Sequence, residues 1–181
     1  MNTVALEKSF ANPGPLGLMG FGMTTVLLNL HNAGLVSMGS AILAMGIIFG
    51  GAAQIFAGIL EFFNGNTFGL TAFTSYGAFW ISFVLLIILP HFGVIPASSP
   101  ALIGSYLTIW GLFTAILFVG TLKASKELQV VFGTLVILFL LLAAGEFTGQ
   151  PIFATIAGFE GLVCGFSAIY LAAKELLHAQ G

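Results

Sequence analysis

The apolar stretches of this sequence have the length that a bilayer imposes. A helix needs about 20 apolar residues to cross a ~30 Å hydrocarbon core. Six such stretches follow one another, at roughly residues 15–33, 41–63, 67–89, 101–122, 128–145 and 152–173. The breaks between them are short and polar or proline-bearing, such as Asn64-Gly65-Asn66 and the stretch from Pro90 to Pro100. Nothing remains for a soluble domain, so the expectation is one all-α membrane domain of six transmembrane helices over residues 1–181. A membrane β-barrel would show segments of about ten residues alternating apolar and polar, and these runs are continuously apolar. The residues before the first stretch show no cleavage-site pattern and read as a tail leading into helix 1.

Charge excludes whole classes of function. The chain is 6% charged against about 25% for an ordinary soluble protein, and its four Lys and six Glu leave a net charge of -2. No basic surface for nucleic acid is possible on that count. A single Cys, Cys164, forms no internal disulfide or Cys-rich metal site. His31, His91 and His178 fall at or beyond the ends of the stretches, and no Ser has a mid-membrane His or Lys partner, so neither a metal, a haem cofactor nor an enzyme is expected. The 24 glycines suit closely packed membrane helices.

Placing the N-terminus inside puts Lys8, Lys123, Lys126 and Lys174 on the same side, as the positive-inside rule requires. Both termini are therefore expected in the cytoplasm, with the protein in the cytoplasmic (inner) membrane. Ile55-Phe56-Ala57-Gly58-Ile59-Leu60 echoes Leu112-Phe113-Thr114-Ala115-Ile116-Leu117, which suggests three parallel two-helix repeats around a central path.

Several polar residues lie where lipid would penalise them. The first span opens Asn12-Pro13-Gly14-Pro15-Leu16-Gly17-Leu18, a helix start whose free backbone N–H groups either are simply capped or attract an anion. Gly51, Gln54, Gly58 and Glu61 recur at helical spacing along one stripe, and the two polar members either bond between helices or line a path. Thr71, Ser75, Ala78 and Ser82 form a hydroxyl-rich stripe that suits a watered wall, although such hydroxyls also bond back to their own helix. Tyr76, mid-span, needs a partner for its O–H and should face protein or a path. Glu160, about eight residues into the sixth stretch, should be protonated, paired or water-facing, so Glu160, and Glu61 near a membrane face, are possible proton sites.

The Asn12-to-Phe21 element, the Gly51/Gln54/Gly58/Glu61 stripe and Thr71-Ala72-Phe73-Thr74-Ser75-Tyr76-Gly77-Ala78-Phe79-Trp80 together resemble the acetate uptake transporter family and its bacterial succinate–acetate permeases. The resemblance covers nearly the whole chain. It implies a six-helix protomer in a homo-hexamer embedded in the lipid bilayer, with one path per subunit for acetate, sometimes succinate, or another small carboxylate. It further implies a constriction formed by Phe21, Tyr76 and Leu135. The substrate-binding candidates are Asn12, Gly14, Leu16, Gly17 and Thr24 on the first span, with Gln54, Thr71 and Ser75 on the next two. Gly14 stands where the family more commonly has Ala, and an acid at position 160 is not expected throughout it. Channel-like and proton-coupled transport both remain open. The residues alone would also fit a channel for small neutral solutes such as urea or short amides, or a scaffold subunit without a path.

Overall fold

A computed structural model describes residues 11–179. Lys8, one of the four lysines behind the expected orientation, lies outside the described residues. Among them the secondary structure is entirely helical: α1 (Gly14–Asn32), α2 (Ser40–Ile47), a π-helical turn (Ile48–Ala53), α3 (Gln54–Phe63), α4 (Thr67–His91), α5 (Pro100–Thr121), α6 (Lys126–Thr148) and α7 (Pro151–His178). The segment α2–π–α3 runs as one rod, Ser40–Phe63.

Five of these rods are long and apolar enough to cross a membrane among the described residues: Ser40–Phe63, α4, α5, α6 and α7. The helix α1 has 19 residues, about 28 Å at 1.5 Å per residue. Pro15, Asn29, His31 and Asn32 lower its hydropathy, and it falls outside that set.

Local chemistry sets the helix ends. Asn66, Ser99 and Ser125 each accept a hydrogen bond from a first-turn N–H, those of Gly69, Leu102 and Leu128. Proline occupies the first turns of α1, α5 and α7, where a missing N–H costs nothing. Gly149, at φ 66°, closes α6 in the left-handed conformation that favours glycine. Three ends of the last two rods shift outward. Capping by Ser125 draws Lys126 and Glu127 into α6, which continues to Thr148, and α7 runs past residue 173 to His178.

The rods close a ring in chain order. Helix α1 packs on α7, α7 on α6, α6 on α5, and α4 on α3 and the π turn, which in turn meet α1. Glycines bring the backbones together at these seams. A Cβ at Gly158 would strike the backbone of Ala33, one at Gly161 the side chain of Asn29, and one at Gly58 Thr74. The seam between α4 and α5 is different, because their backbones barely meet and aromatic rings fill the gap. Phe79 stacks on Tyr106 at 5.9 Å and meets Trp110 edge-on at 5.2 Å. Ile109, Ile116, Val163 and Phe166 are among the large apolar side chains left exposed on the outside of the ring, as a lipid or subunit surface requires.

Candidate functional site

Inside the ring, a cavity of about 300 Å³ opens at the end where α1, α4 and α6 begin and α3 and α7 finish. Three helices line it with matching stripes: Gly14, Leu18 and Phe21 of α1; Gly69, Ala72, Phe73 and Tyr76 of α4; Leu128, Val131, Phe132 and Leu135 of α6. All three start at this mouth, so Phe21, Tyr76 and Leu135 are the deepest lining residue on each. They are almost fully buried, at 6%, 3% and 3% exposure. The Phe21 and Tyr76 ring centroids lie 5.8 Å apart, and Phe132 approaches Tyr76 at 6.1 Å. Tyr76 donates to Thr114 Oγ1 at 2.9 Å, and Thr114 donates to the Trp110 carbonyl at 2.7 Å. The phenol therefore finds its partner on α5, across the loosely packed seam.

The stripes continue beyond this point. A second cavity, about 270 Å³, opens at the opposite end and is lined by Leu28 and Asn32 of α1, Phe83 of α4, Tyr106 of α5, and Leu142 and Glu146 of α6. Between the two cavities the same faces carry Thr25, Phe79, Leu138 and Phe139, all buried, with Phe79 and Phe139 in edge contact at 5.2 Å. Two mouths thus share one axis through a middle packed with rings.

The polar groups gather at the first mouth. Asn12, Glu61, Asn66 and Glu175 line it, and Gln54 lies deeper. Asn66 donates to Glu61 Oε2 at 2.9 Å. Asn12 accepts from the Gly14 N–H at 2.9 Å and donates to Glu175 Oε2 at 3.2 Å. The anion at the start of α1 is therefore the chain's own Glu175, held through Asn12. A Cβ at Gly14 would come within 2.8 Å of that carboxylate, so glycine here makes room for it. Lys174 turns away and pairs with Glu127.

The structure divides the candidates from the sequence. Phe21, Tyr76, Leu135, Asn12, Gly14, Gln54 and Glu61 meet at one cavity. Leu16 is exposed on the outer face of α1, and Gly17 is sealed by the Phe73 ring. Thr24 is fully buried against Gly50 rather than in the cavity. Of the two readings of the hydroxyl stripe, the hydrogen bonds follow the second: Thr71 donates back to the Thr67 carbonyl and Ser82 to that of Phe79, while Ser75 lies off the cavity. The face of α4 turned inward is instead Gly69, Ala72, Phe73 and Tyr76. Glu160 also lies away from both mouths, on the α7 seam beside Cys164, with neither carboxylate oxygen partnered. The stripe in span 2 splits by function: Gly51 and Gly58 pack against Ile81 and Thr74 of α4, and Gln54 and Glu61 line the cavity. Sequence reasoning missed Thr114, Thr25 and Glu175. Thr25 follows Thr24 directly and Thr114 stands between Thr108 and Thr121 on α5, hydroxyls that can all bond back to their own helix, and Glu175 reads as an ordinary interfacial charge.

A ring of membrane-length helices enclosing two opposed mouths defines a multi-pass membrane protein of the transport class. The chain belongs to the GPR1/FUN34/yaaH family, whose profile matches residues 2–181. It is 56% identical over 174 residues to the succinate-acetate/proton symporter SatP of Escherichia coli K12, covering 96% of this chain and 93% of that one. It is 35% identical to acetate permease A of Emericella nidulans, covering 90% of this chain and 60% of that longer protein. Its fold matches the solved bacterial acetate channel SatP with a TM-score of 0.94 at 55% identity, covering 95% of each chain.

Proposed function

We propose that this protein carries acetate and succinate across the cytoplasmic membrane through the axis that joins the two mouths. One observation carries the reading: Phe21, Tyr76 and Leu135 converge from three parallel helices at the closed end of a polar-mouthed cavity. Rings and a branched side chain narrow a path by excluding water rather than by binding cargo. At about 300 Å³ the cavity has room for a two- to four-carbon acid with water around it. The names of the relatives support the same cargo.

In this reading α1 is the sixth span, and the spans form three successive two-helix units around the path. The mouth lined by Glu61 and Glu175 faces the cytoplasm, with both termini, because Lys126 and Lys174 lie at that end of α6 and α7. The exposed apolar exterior suits assembly into a hexamer with one path per subunit. Uptake of labelled acetate into proteoliposomes, with protein-free vesicles beside them and with or without an imposed proton gradient, tests the function. Protein-dependent uptake is expected, and its absence under every gradient would refute the reading.

A further inference from the structure

The seams of the ring are not built alike. Gly158 and Gly161 bring α7 onto α1, and Gly58 and Gly77 bring α3 onto α4, with backbone atoms at the contacts of Gly158, Gly58 and Gly77. The glycines Gly69, Gly77, Gly104 and Gly111 do not join α4 to α5: the first two face Glu61 and Ile55 of α3, and the last two face Phe147 and Phe139 of α6. Side chains alone hold the α4–α5 seam, and two hydrogen bonds cross it among the described residues. These two form a reciprocal clasp. At the constriction, Tyr76 of α4 donates to Thr114 of α5, which donates in turn to its own helix at the Trp110 carbonyl. Towards the second mouth the roles exchange: the Tyr106 hydroxyl of α5 lies 2.6 Å from Ser82 Oγ of α4, and Ser82 donates to its own helix at the Phe79 carbonyl. A serine hydroxyl has one proton, so Tyr106 is the donor. Between the clasps lie rings of the path itself, Phe79 against Tyr106 and Trp110, and Tyr76 against Phe113 at 5.8 Å.

The middle of the path is packed shut, so passage of an acid requires its walls to part. Phe21, Tyr76 and Phe79 form one wall, on α1 and α4. Leu135, Leu138 and Phe139 form the other, on α6, which packs with α5 as a hairpin. Parting α7 from α1, or α3 from α4, would strip contacts made at backbone distance. Parting α5 from α4 costs two hydrogen bonds of modest net worth and some sliding of rings. We propose that the path opens at the α4–α5 seam, the α5–α6 hairpin swinging off α4 about its contact with α7, and that the Tyr106–Ser82 bond is the outer latch that sets how often it opens. Tyr106 and Ser82 act through Phe79 and are positioning residues: latched, they hold Phe79 against Phe139 across the path. Size selection stays with Phe21, Tyr76 and Leu135, and the latch governs rate.

The inference rests on the proposed acid-transport function and is tested with the full chain in proteoliposomes, protein-free vesicles being subtracted. The outer latch is the one to alter, because Tyr76 also narrows the path. Tyr106→Phe keeps the ring and is expected to melt lower yet take up labelled acetate about fivefold faster, the factor that the net worth of one hydrogen bond gives, with the size limit unchanged. A merely structural role would lower the melting temperature without raising uptake. Ser82→Ala should do the same, and the two together no more than either alone, because they share one bond. Ser82→Cys with Tyr106→Cys then locks the seam. The two Cβ atoms stand about a tyrosine side chain apart, too far for a direct disulfide, so a bifunctional methanethiosulfonate of that length bridges them, and mass spectrometry confirms the bridge. Cys164 is fully buried, and the unaltered protein treated alike is the control. Uptake by the bridged variant should fall to the protein-free background and return on reduction. A confirmed bridge that leaves uptake intact overturns the proposal, and so does folded Tyr106→Phe with unchanged or slower uptake. Should the double variant fail to fold or to bridge, Tyr106→Phe still decides. Failure of the transport reading itself looks different: no protein-dependent uptake by the unaltered protein.

Discussion

Tyr76 is held by one hydrogen bond to Thr114 and by rings on every side, so its hydroxyl and its ring have separable effects. Tyr76→Phe keeps the ring and is expected to cost about 1 kcal/mol, the net worth of one hydrogen bond, in thermal unfolding of the detergent-solubilised protein, without changing which acids pass. Glu160 is the contrasting case. It lies off both mouths with unpartnered oxygens, so Glu160→Gln should transport acetate with the same pH profile as the unaltered protein, measured by uptake across a pH series. A flattened profile would assign the proton to Glu160. Residues such as Gln54 and Glu61 were legible in the sequence because helical spacing puts them on one stripe and because lipid penalises their polarity. Glu175 was not, since a charge near the end of a span is cheap wherever it points.

Spans are the most legible elements, because the bilayer fixes their length and the breaks between them are chemically abrupt. The π turn in Ile48–Ala53 left no such trace: its residues Ile-Phe-Gly-Gly-Ala-Ala would serve an α-helix equally well, and tertiary contact with Thr24, Trp80 and Ile81 through its glycines accompanies the wider turn. Glycine seams can be tested element by element. Gly158→Ala would set a methyl group within 2.6 Å of Ala33 Cα, backbone that has no rotamer by which to yield. It is expected to destabilise the protein by about 1–3 kcal/mol through overpacking at the α1–α7 seam. Gly39→Ala, with open space around it and φ -155°, meets no clash and should lose only the smaller preference for glycine over alanine at a helix N-cap in the same melting experiment. Equal melting temperatures for the two variants would remove the argument that these glycines hold α1 against α7.

At the scale of the whole molecule, the ring of rods places like ends of α1, α4 and α6 at one mouth, and the proposed cytoplasmic side of that mouth rests on Lys126 and Lys174. Cys164 is fully buried, which leaves a quiet background for labelling. A Cys at the exposed position Ala97 should react with an impermeant reagent added outside intact cells, and one at Ala124 should not; the reverse result inverts the molecule. The sequence carried the order of the rods and the reach of the five that are long and apolar enough to span. It did not carry the ring closure, because which glycine faces meet depends on contacts between residues more than a hundred positions apart, such as Gly158 with Ala33.

The central claim is that Phe21, Tyr76 and Leu135 set the width of a single path, and its most direct measurement is the size selectivity of uptake. Proteoliposomes carrying the unaltered protein, Phe21→Ala or Tyr76→Ala are compared for acetate and for a series of progressively bulkier monocarboxylates, with folding confirmed by size-exclusion chromatography. The account predicts that both variants admit acids that the unaltered protein excludes, while acetate uptake persists. Folded variants with an unchanged size limit would contradict it and place the narrowest point elsewhere.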